Sequence, residues 1–156
     1  MDSDLYLNRA ENEIKLARIV FAVSKDQSMQ VEVFGEKYPD TYYSAVITHS
    51  YYAIFYAAKA YLLTKGVVIT PPEEHRKTYD ALKGRVDSGE LDVDLLRLYN
   101  EALVRAETLL GILKSEKKKR GDYTYQTLPQ ANQAPAAESV KNAETFYKHL
   151  RALTTK

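Results

Sequence analysis

Residues 49–66, HSYYAIFYAAKAYLLTKG, decide the fold of this chain. Two lysines are the only Lys, Arg, Asp or Glu residues in this segment, and four tyrosines fall within eleven positions. Three stripes can be drawn along it as a helix: His49, Tyr52, Tyr56 and Lys59; Ser50, Ala53, Ala57 and Ala60; and Tyr51, Ile54, Ala58 and Tyr61. No contiguous polar face remains, and such a helix is normally buried on most sides. We therefore expect a central helix whose stripe of small residues allows another helix to pack closely against it. Its aromatic stripe should pack on other helices, a second subunit or a ligand.

Apolar residues at helical spacing predict four further helices around this central one. The first covers residues 4–23 and buries Leu7, Ala10, Ile14, Ala17 and Phe21. The third buries Tyr79, Leu82 and Val86, the fourth Leu96, Tyr99, Leu103, Ala106, Leu110 and Leu113, and the last Ala136, Val140, Ala143, Tyr147 and Leu150. No segment has the pattern of a strand. The predicted fold class is all-α, an up-and-down four- to five-helix bundle.

The central helix is expected to begin near Asp40 or Thr41 and to run to Lys65, because Gly66 is a natural C-terminal stop. Residues 24–40 are a candidate insertion between the first two helices. This segment either continues the first helix or forms a short irregular excursion.

The third helix has a predicted start at TPPE, where Thr70 is the expected N-cap and Glu73 follows three residues later. A loop rich in Pro, Gln and Asn is expected over residues 121–134, and the last helix should start near Pro135. We predict one domain over residues 1–156.

Composition excludes several kinds of chemistry. The chain has no cysteine, so disulfides, thiolate zinc sites and cysteine nucleophiles are ruled out. It has no Glu-x-x-His pair on a helix, no His-Glu-x-x-His motif and no Walker-type glycine loop. The sequence therefore predicts neither a metal nor a cofactor. With a net charge of +1 and no secretory or membrane-spanning pattern, a cytoplasmic protein is expected.

The strongest charge feature is the basic run Lys117, Lys118, Lys119 and Arg120. It has two interpretations. Cations complement the dipole at a helix C-terminus, so the run can be a solvated helix end. Basic clusters also attract phosphates of RNA or nucleotides, and the nearby Tyr123 and Tyr125 are suited to stacking on bases.

Each of the three histidines also has an ordinary structural interpretation. His49 lies among tyrosines, where a hydrogen bond in the core or at an interface is expected. His75 is predicted in the first turn of the third helix, at the surface or partly packed. His149 is expected at the surface.

Several motifs together resemble the HEPN domain superfamily, in its small stand-alone bacterial and archaeal members. The segment SAVITHSYYAIFYAAKAYLLTKG matches that family's YYA-F-AAKALL--G pattern at Tyr51, Tyr52, Ala53, Phe55, Ala57, Ala58, Lys59, Ala60, Leu62, Leu63 and Gly66. The next segment, PPEEHRKTYDAL, has His75 at the expected place. RGDY resembles the family's R-x-DY turn, matched by Arg120, Asp122 and Tyr123.

The resemblance implies a helical bundle in which the central helix is buried and through which members commonly dimerise. It also implies binding of RNA or a nucleotide, often beside a small nucleotidyltransferase partner in toxin–antitoxin pairs. Some members are metal-independent ribonucleases that carry an Arg, then four to six residues of any type, then His. Here the corresponding positions after Arg120 are Tyr125, Gln126 and Thr127, so that motif is incomplete.

Three hypotheses follow. The first is a non-catalytic HEPN-like module that binds RNA or a nucleotide, or partners a nucleotidyltransferase. The second is a metal-independent endoribonuclease in which Arg120 holds the phosphate while a spatially adjacent His75 or His49 moves the proton. The third is a purely structural homodimer. The candidate ligand-binding residues are Lys119, Arg120, Asp122, Tyr123, Tyr52 and His75.

Overall fold

A computed structural model describes residues 2–119 and 132–155 of the chain, with side chains described outside residues 110–119. Its helices are α1 Ser3–Lys25, α2 Gln27–Glu32, α3 Tyr43–Thr64, α4 Glu74–Asp87, α5 Val93–Lys119 and α6 Gln133–Thr154. All regular structure in the described parts is helical, so the predicted all-α bundle is confirmed. It has five long helices and the short α2. No described helix is long and apolar enough to cross a membrane.

Helix α3 is the centre of the bundle, because it packs against α1, α4, α5 and α6. Its small-residue stripe is fully buried, and Ala53, Ala57 and Ala60 have no exposed surface. Small side chains let the neighbouring helices come close to the α3 backbone. The prediction that residues 49–66 form a helix buried on most sides is therefore confirmed.

Two pairs of packed long helices, α1 with α3 and α5 with α6, run in opposite directions. Near the start of α1, Tyr6 meets Tyr56 towards the end of α3, while Glu13 further along α1 meets His49 earlier in α3. This order of contacts is possible only when the two helices are antiparallel. Helices α5 and α6 are also antiparallel. Arg105 donates a hydrogen bond to Ser139, while the earlier Leu95 lines the same cavity as the later Leu153.

The first helix extends slightly beyond its predicted bounds at both ends. The side chain of Asp2 accepts a hydrogen bond of 2.9 Å from the Leu5 amide, which caps the helix start. Such a cap satisfies an amide that has no partner inside the helix. Four of the predicted core residues, Leu7, Ala10, Ile14 and Ala17, are buried, and Phe21 is half-buried.

Residues 24–40 form an irregular excursion with its own short helix, α2. The side chain of Gln30 is buried and holds both ends of this excursion. It donates to the carbonyl oxygens of Val23 at 2.7 Å and Asp40 at 2.9 Å, and it accepts from the Asp40 amide at 2.9 Å. Because Asp40 is engaged with Gln30, α3 begins later than predicted, at Tyr43.

Gly66 ends α3 as predicted. The helix stops at Thr64, and Gly66 has a φ of +76°, a left-handed conformation that glycine adopts at little cost. The amide of Gly66 donates to the Leu63 carbonyl at 3.0 Å. A carbonyl of the last helical turn is thereby satisfied.

The predicted start of the third helix is wrong. Helix α4 begins at Glu74 and its N-cap is Glu73, whereas Thr70 lies four positions before the helix. A residue that precedes proline is disfavoured in the helical conformation, and Pro71 and Pro72 impose that restriction twice in succession. The backbone therefore turns helical only after both prolines.

The C-terminal part agrees with the predicted burial at most described positions, but Leu103 and Val140 are only half-buried. Leu96, Tyr99 and Ala106 of α5 are buried, and Ala136, Ala143, Tyr147 and Leu150 of α6 are buried. Helix α6 begins at Gln133, two residues before the predicted position. Most of the predicted loop 121–134 lies outside the described residues.

Candidate functional site

Four half-buried rings form a continuous row across one side of the bundle. Tyr6 and Tyr56 have ring centroids 6.3 Å apart, Tyr56 and Tyr52 are also 6.3 Å apart, and Tyr52 and His75 are 6.4 Å apart. All four side chains are partly exposed to solvent. We call this row Tyr6, Tyr56, Tyr52 and His75 the aromatic face.

Three helices build the aromatic face. Tyr52 and Tyr56 are four residues apart on α3, so they lie on the same side of that helix one turn apart. Tyr6 comes from the antiparallel α1, and His75 comes from the first turn of α4. The face is therefore carried by helices that are fixed by the core, and its rings are held in position before any ligand arrives.

Two cations flank the row. The guanidinium of Arg9 lies 5.0 Å from the ring centroid of Tyr56, a distance typical of a cation–π contact. The Lys59 ammonium lies 4.9 Å from the ring centroid of Tyr6 and 3.2 Å from a carboxylate oxygen of Glu74. Lys59 is buried and already paired. Arg9 is exposed and has no ion-pair partner among the described residues, so it is the cation available to a ligand.

A histidine–carboxylate pair lies beside the aromatic face. The Nδ1 atom of His49 is 2.6 Å from Oε2 of Glu13, and both side chains are partly exposed, at 31% and 24%. The pair joins α3 to α1 one turn away from Tyr52 and Arg9 respectively. His49 makes a hydrogen bond as expected, but it does so at a partly exposed position between α3 and α1 and not in the core.

Behind the aromatic face, three polar side chains form a buried network. The hydroxyl of Tyr51 hydrogen-bonds with Nδ1 of His75 and lies 3.3 Å from the hydroxyl of Tyr99. Tyr99 donates to the backbone carbonyl of His75 at 3.0 Å. Burial, reinforced by the neighbouring Tyr99, holds the pKa of Tyr51 far above its ordinary value. Burial raises the pKa of Tyr99 to about 12. Both hydroxyls are therefore uncharged at any physiological pH.

The ionisation of His75 is dominated by its partial burial. Desolvation lowers the pKa of His75, and this effect outweighs the opposing influence of Glu74 and Glu107. Since the ordinary value is about 6.5, His75 is neutral at neutral pH. A neutral imidazole has one donor and one acceptor nitrogen, and Nδ1 is already engaged with Tyr51.

A small cavity of about 50 Å³ opens between His75 and α5. Its lining is part polar and part apolar: Thr48, Tyr51, Tyr52, His75, Leu103, Ala106 and Glu107. The cavity is far too small for a whole nucleotide. It is large enough for ordered water.

Two of the site residues predicted from sequence come together here. Tyr52 and His75 are neighbours in the aromatic face, as described above. Lys119 is the last residue of α5, and its side chain is not described. Arg120, Asp122 and Tyr123 lie outside the described residues.

The remaining histidine has the predicted position. His149 is exposed, and its Nδ1 atom lies 2.8 Å from the carbonyl oxygen of Thr145, one turn earlier in α6. Among the side chains that the structure describes, in residues 2–109 and 132–155, no cluster of three or more His, Asp or Glu is arranged to hold a metal ion.

Sequence reasoning missed the contribution of α1 and of Glu107. Tyr6, Arg9 and Glu13 step by three and four residues, so they share a face of α1. That spacing is a local signal that the three side chains lie on one side of α1. Nothing in the sequence indicated that α1 would lie along the tyrosines of α3.

A scan against protein-family models matches the HEPN domain over residues 34–153. The chain belongs to the HEPN domain family. This confirms the resemblance found in the YYA segment and the helices around it. A search of curated proteins found no match. The HEPN match starts after α1, so Tyr6, Arg9 and Glu13 reach the aromatic face from outside the matched range.

Proposed function

We propose that this HEPN-family chain is a non-catalytic module that binds RNA or a nucleotide through its aromatic face. The observation that carries this proposal is the row of half-buried rings, Tyr6, Tyr56, Tyr52 and His75, with the exposed Arg9 beside it. Single-stranded RNA is commonly recognised by stacking of unpaired bases on aromatic side chains.

The chemistry of the face favours a base together with a phosphate. A tyrosine ring offers a flat apolar surface to any base, and each stacked base contributes about 1–3 kcal/mol of binding free energy. A guanidinium offers paired donors to phosphate oxygens. Arg9 is exposed and its guanidinium lies over the Tyr56 ring, one helical turn from Tyr52, so we expect it to contact the phosphate of a nucleotide whose base stacks on Tyr52.

Arg120 supplies the second phosphate contact in this proposal, with Lys119 beside it. Asp122 orients Arg120, and Tyr123 stacks on a further base. These roles follow from the resemblance of RGDY to the family's R-x-DY turn.

Binding is tested with a panel of fluorescently labelled single-stranded RNAs and nucleotides, with chelator present. The panel is scored for both retention and cleavage. We expect retention without cleavage by the wild type and binding weakened about tenfold or more by Tyr52→Ala, because the variant loses a stacking platform. Arg9→Gln and Arg120→Ala should each weaken binding and reduce its dependence on salt.

Tyr38→Ala is the matched control. Tyr38 is 76% exposed and is not part of the aromatic face, so its loss should leave binding unchanged. Equal binding by the wild type and Tyr52→Ala would refute the aromatic face as the site. Absence of retention for every RNA and nucleotide in the panel would refute the binding function itself.

We also propose that the chain acts with a nucleotidyltransferase partner, in a toxin–antitoxin-type pair, and as a cytoplasmic homodimer. Membership of the HEPN family supports this proposal, because such partnerships are common in the family. Light scattering of the purified chain tests the dimer, and a monomer at micromolar concentration would contradict it. Co-purification with the product of an adjacent nucleotidyltransferase gene tests the partner.

A second candidate function is a metal-independent endoribonuclease, favoured by the pair of His49 and Glu13. A carboxylate bonded to Nδ1 fixes the ring and its tautomer, which prepares Nε2 for proton transfer. Cleavage that survives chelator and is lost in both His49→Gln and Arg120→Ala would support this function. Intact RNA across the whole panel would refute it.

A further inference from the structure

The small cavity beside Tyr52 has little unused hydrogen-bonding capacity. Thr48 donates its proton to the Ser44 carbonyl at 2.9 Å, and the hydroxyl of Tyr51 is engaged in the buried network. Leu103 and Ala106 contribute only apolar surface. The groups left for a ligand are the Tyr52 hydroxyl, the Thr48 oxygen as an acceptor, the carboxylate of Glu107 and the second ring nitrogen of His75.

Glu107 is the charged group of this cavity. It is exposed, and no cation of the described residues lies within ion-pair distance of it. An ionised carboxylate only accepts hydrogen bonds, and it has two oxygens with which to do so. A ligand edge that faces Glu107 must therefore present N–H donors. Binding is tightest when two such donors lie side by side, one for each carboxylate oxygen.

We propose that the base held on Tyr52 is guanine, with its Watson–Crick edge directed at Glu107, an inference that rests on the nucleotide-binding function proposed above. Guanine carries N1–H and the 2-amino group next to each other, so both can donate to one carboxylate. Hydrogen bonds to an ionised group are roughly twice as strong as neutral ones. Glu107 is thus the specificity-determining residue of the site.

The other bases complement the cavity less well. Adenine and cytosine each have one amino group, and a ring nitrogen acceptor stands beside it. That acceptor would face the second carboxylate oxygen and repel it. Uracil has a single N–H between two carbonyl oxygens, so it is also left with an acceptor against Glu107. A base that lacks two adjacent N–H donors forms fewer charge-assisted hydrogen bonds with Glu107 and therefore binds less tightly than guanine.

His75 adds a second contact to guanine. When Nδ1 of His75 accepts a hydrogen bond from the Tyr51 hydroxyl, the neutral imidazole carries its proton on Nε2. That N–H is a donor suited to O6 of guanine, which lies next to N1–H on the same edge. One donor and two acceptors of the site then match one acceptor and two donors of the base.

The test uses the full chain and fluorescein-labelled uridine hexamers in which one central position is G, inosine, A, C or U. We expect the G hexamer to bind at least about tenfold more tightly than the A, C and U hexamers, as loss of a charge-assisted hydrogen bond predicts. Inosine lacks the 2-amino group and should fall between G and A. This intermediate value would show that the second donor contributes.

The matched variants are Glu107→Gln and Glu101→Gln. An amide offers one acceptor in place of two, so Glu107→Gln should remove most of the preference for G. Glu101 lies on the same helix but is paired with Arg97 at 3.0 Å, away from the cavity, and its variant should keep the preference. Thermal melting confirms that each variant is folded.

The outcomes separate this proposal from the one on which it rests. A preference for G that is lost in Glu107→Gln supports guanine recognition. Equal binding of all five hexamers, still weakened by Tyr52→Ala, overturns guanine recognition and leaves the binding function standing. Failure of every hexamer and every nucleotide to bind overturns both.

Discussion

Tyr51 and Tyr52 are adjacent in the sequence and have opposite surroundings. Tyr51 is 4% exposed, and its hydroxyl belongs to the buried network with His75 and Tyr99. Tyr52 is half-buried and presents its ring on the aromatic face. Successive residues of a helix point about 100° apart. The same residue type thus stabilises the bundle on one stripe of α3 and is available to a ligand on the next.

The comparison also shows how α4 is held to the bundle. Thr78 and Leu82 of α4 are buried, and the half-buried Tyr79, Ala81 and Val86 pack against the same core. The polar contacts made by His75 with Tyr51 and Tyr99, and the ion pair of Glu74 with Lys59, add to this attachment. Buried polar groups are stabilising when they are paired and costly when one partner is removed. Substitutions at Tyr51 should therefore lower stability more than the same substitutions at Tyr52.

The largest expected effect comes from removing each ring in turn. Tyr51→Ala should lower the free energy of unfolding by about 3–5 kcal/mol, as for other buried aromatic residues replaced by alanine. Tyr52→Ala should cost about 1 kcal/mol, the value typical of an average substitution. Urea denaturation followed by circular dichroism measures both. Equal losses of unfolding free energy in the two variants would contradict a structural role for Tyr51 and a ligand-binding role for Tyr52.

A smaller effect is expected from removing only the hydroxyl groups. Tyr51→Phe should lower the free energy of unfolding by about 1–3 kcal/mol, because it leaves buried partners without a hydrogen bond. Tyr52→Phe should change it by less than about 0.5 kcal/mol, as for a surface substitution. The same denaturation experiment applies. If Tyr51→Phe left the free energy of unfolding unchanged, the buried network would not contribute to the attachment of α4.

The third effect is the pH dependence that His75 contributes. Burial lowers the pKa of His75 in the folded state relative to the unfolded chain, so below pH 6.5 the unfolded state binds more protons. Stability should therefore fall as the pH drops from about 6.5 through the lower folded-state pKa.

Denaturation midpoints between pH 5 and 8 measure this dependence. His75→Gln should flatten the curve, whereas His149→Gln, which changes an exposed histidine, should leave its slope unchanged. A slope that persists in His75→Gln would assign the effect to another group.

The smallest effect is expected at the pair of Glu13 and His49. The two side chains are 24% and 31% exposed, and water and salt weaken such a pair. Glu13→Gln should lower the free energy of unfolding by less than about 1 kcal/mol. Denaturation at low and high salt tests this expectation. A loss as large as that of Tyr51→Phe, unchanged by salt, would place this pair with the buried network.

Much of the fold could be predicted because its signals are local. Gly66 has the conformation that ends a helix, and the buried residues of α1, α5 and α6 repeat at helical spacing wherever they are described. The start of α4 was missed because the capping pattern at Thr70 is a statistical preference. The conformational restriction imposed by Pro71 and Pro72 is steric and prevails over it.

The candidate site was predicted only in part, because its residues meet over long separations in the chain. Tyr52 and His75 were singled out from the sequence and lie together. Glu13 and His49 are 36 residues apart, and local spacing gives no information about such a pair. Arg120, Asp122 and Tyr123 lie outside the described residues, so their roles stay predictions.

The sequence by itself determined the all-α class, the central helix with its three stripes and the membership of the HEPN family. These depend on residue type and on spacing within a helix, which are present in the chain before it folds. Only the tertiary structure decided which stripe stays half-exposed. That outcome depends on where α1 and α4 pack against α3, and packing is set by the combined surfaces of several helices. The pairing of Tyr51 with His75, and the meeting of Tyr52 with a cavity that holds Glu107, are consequences of that packing.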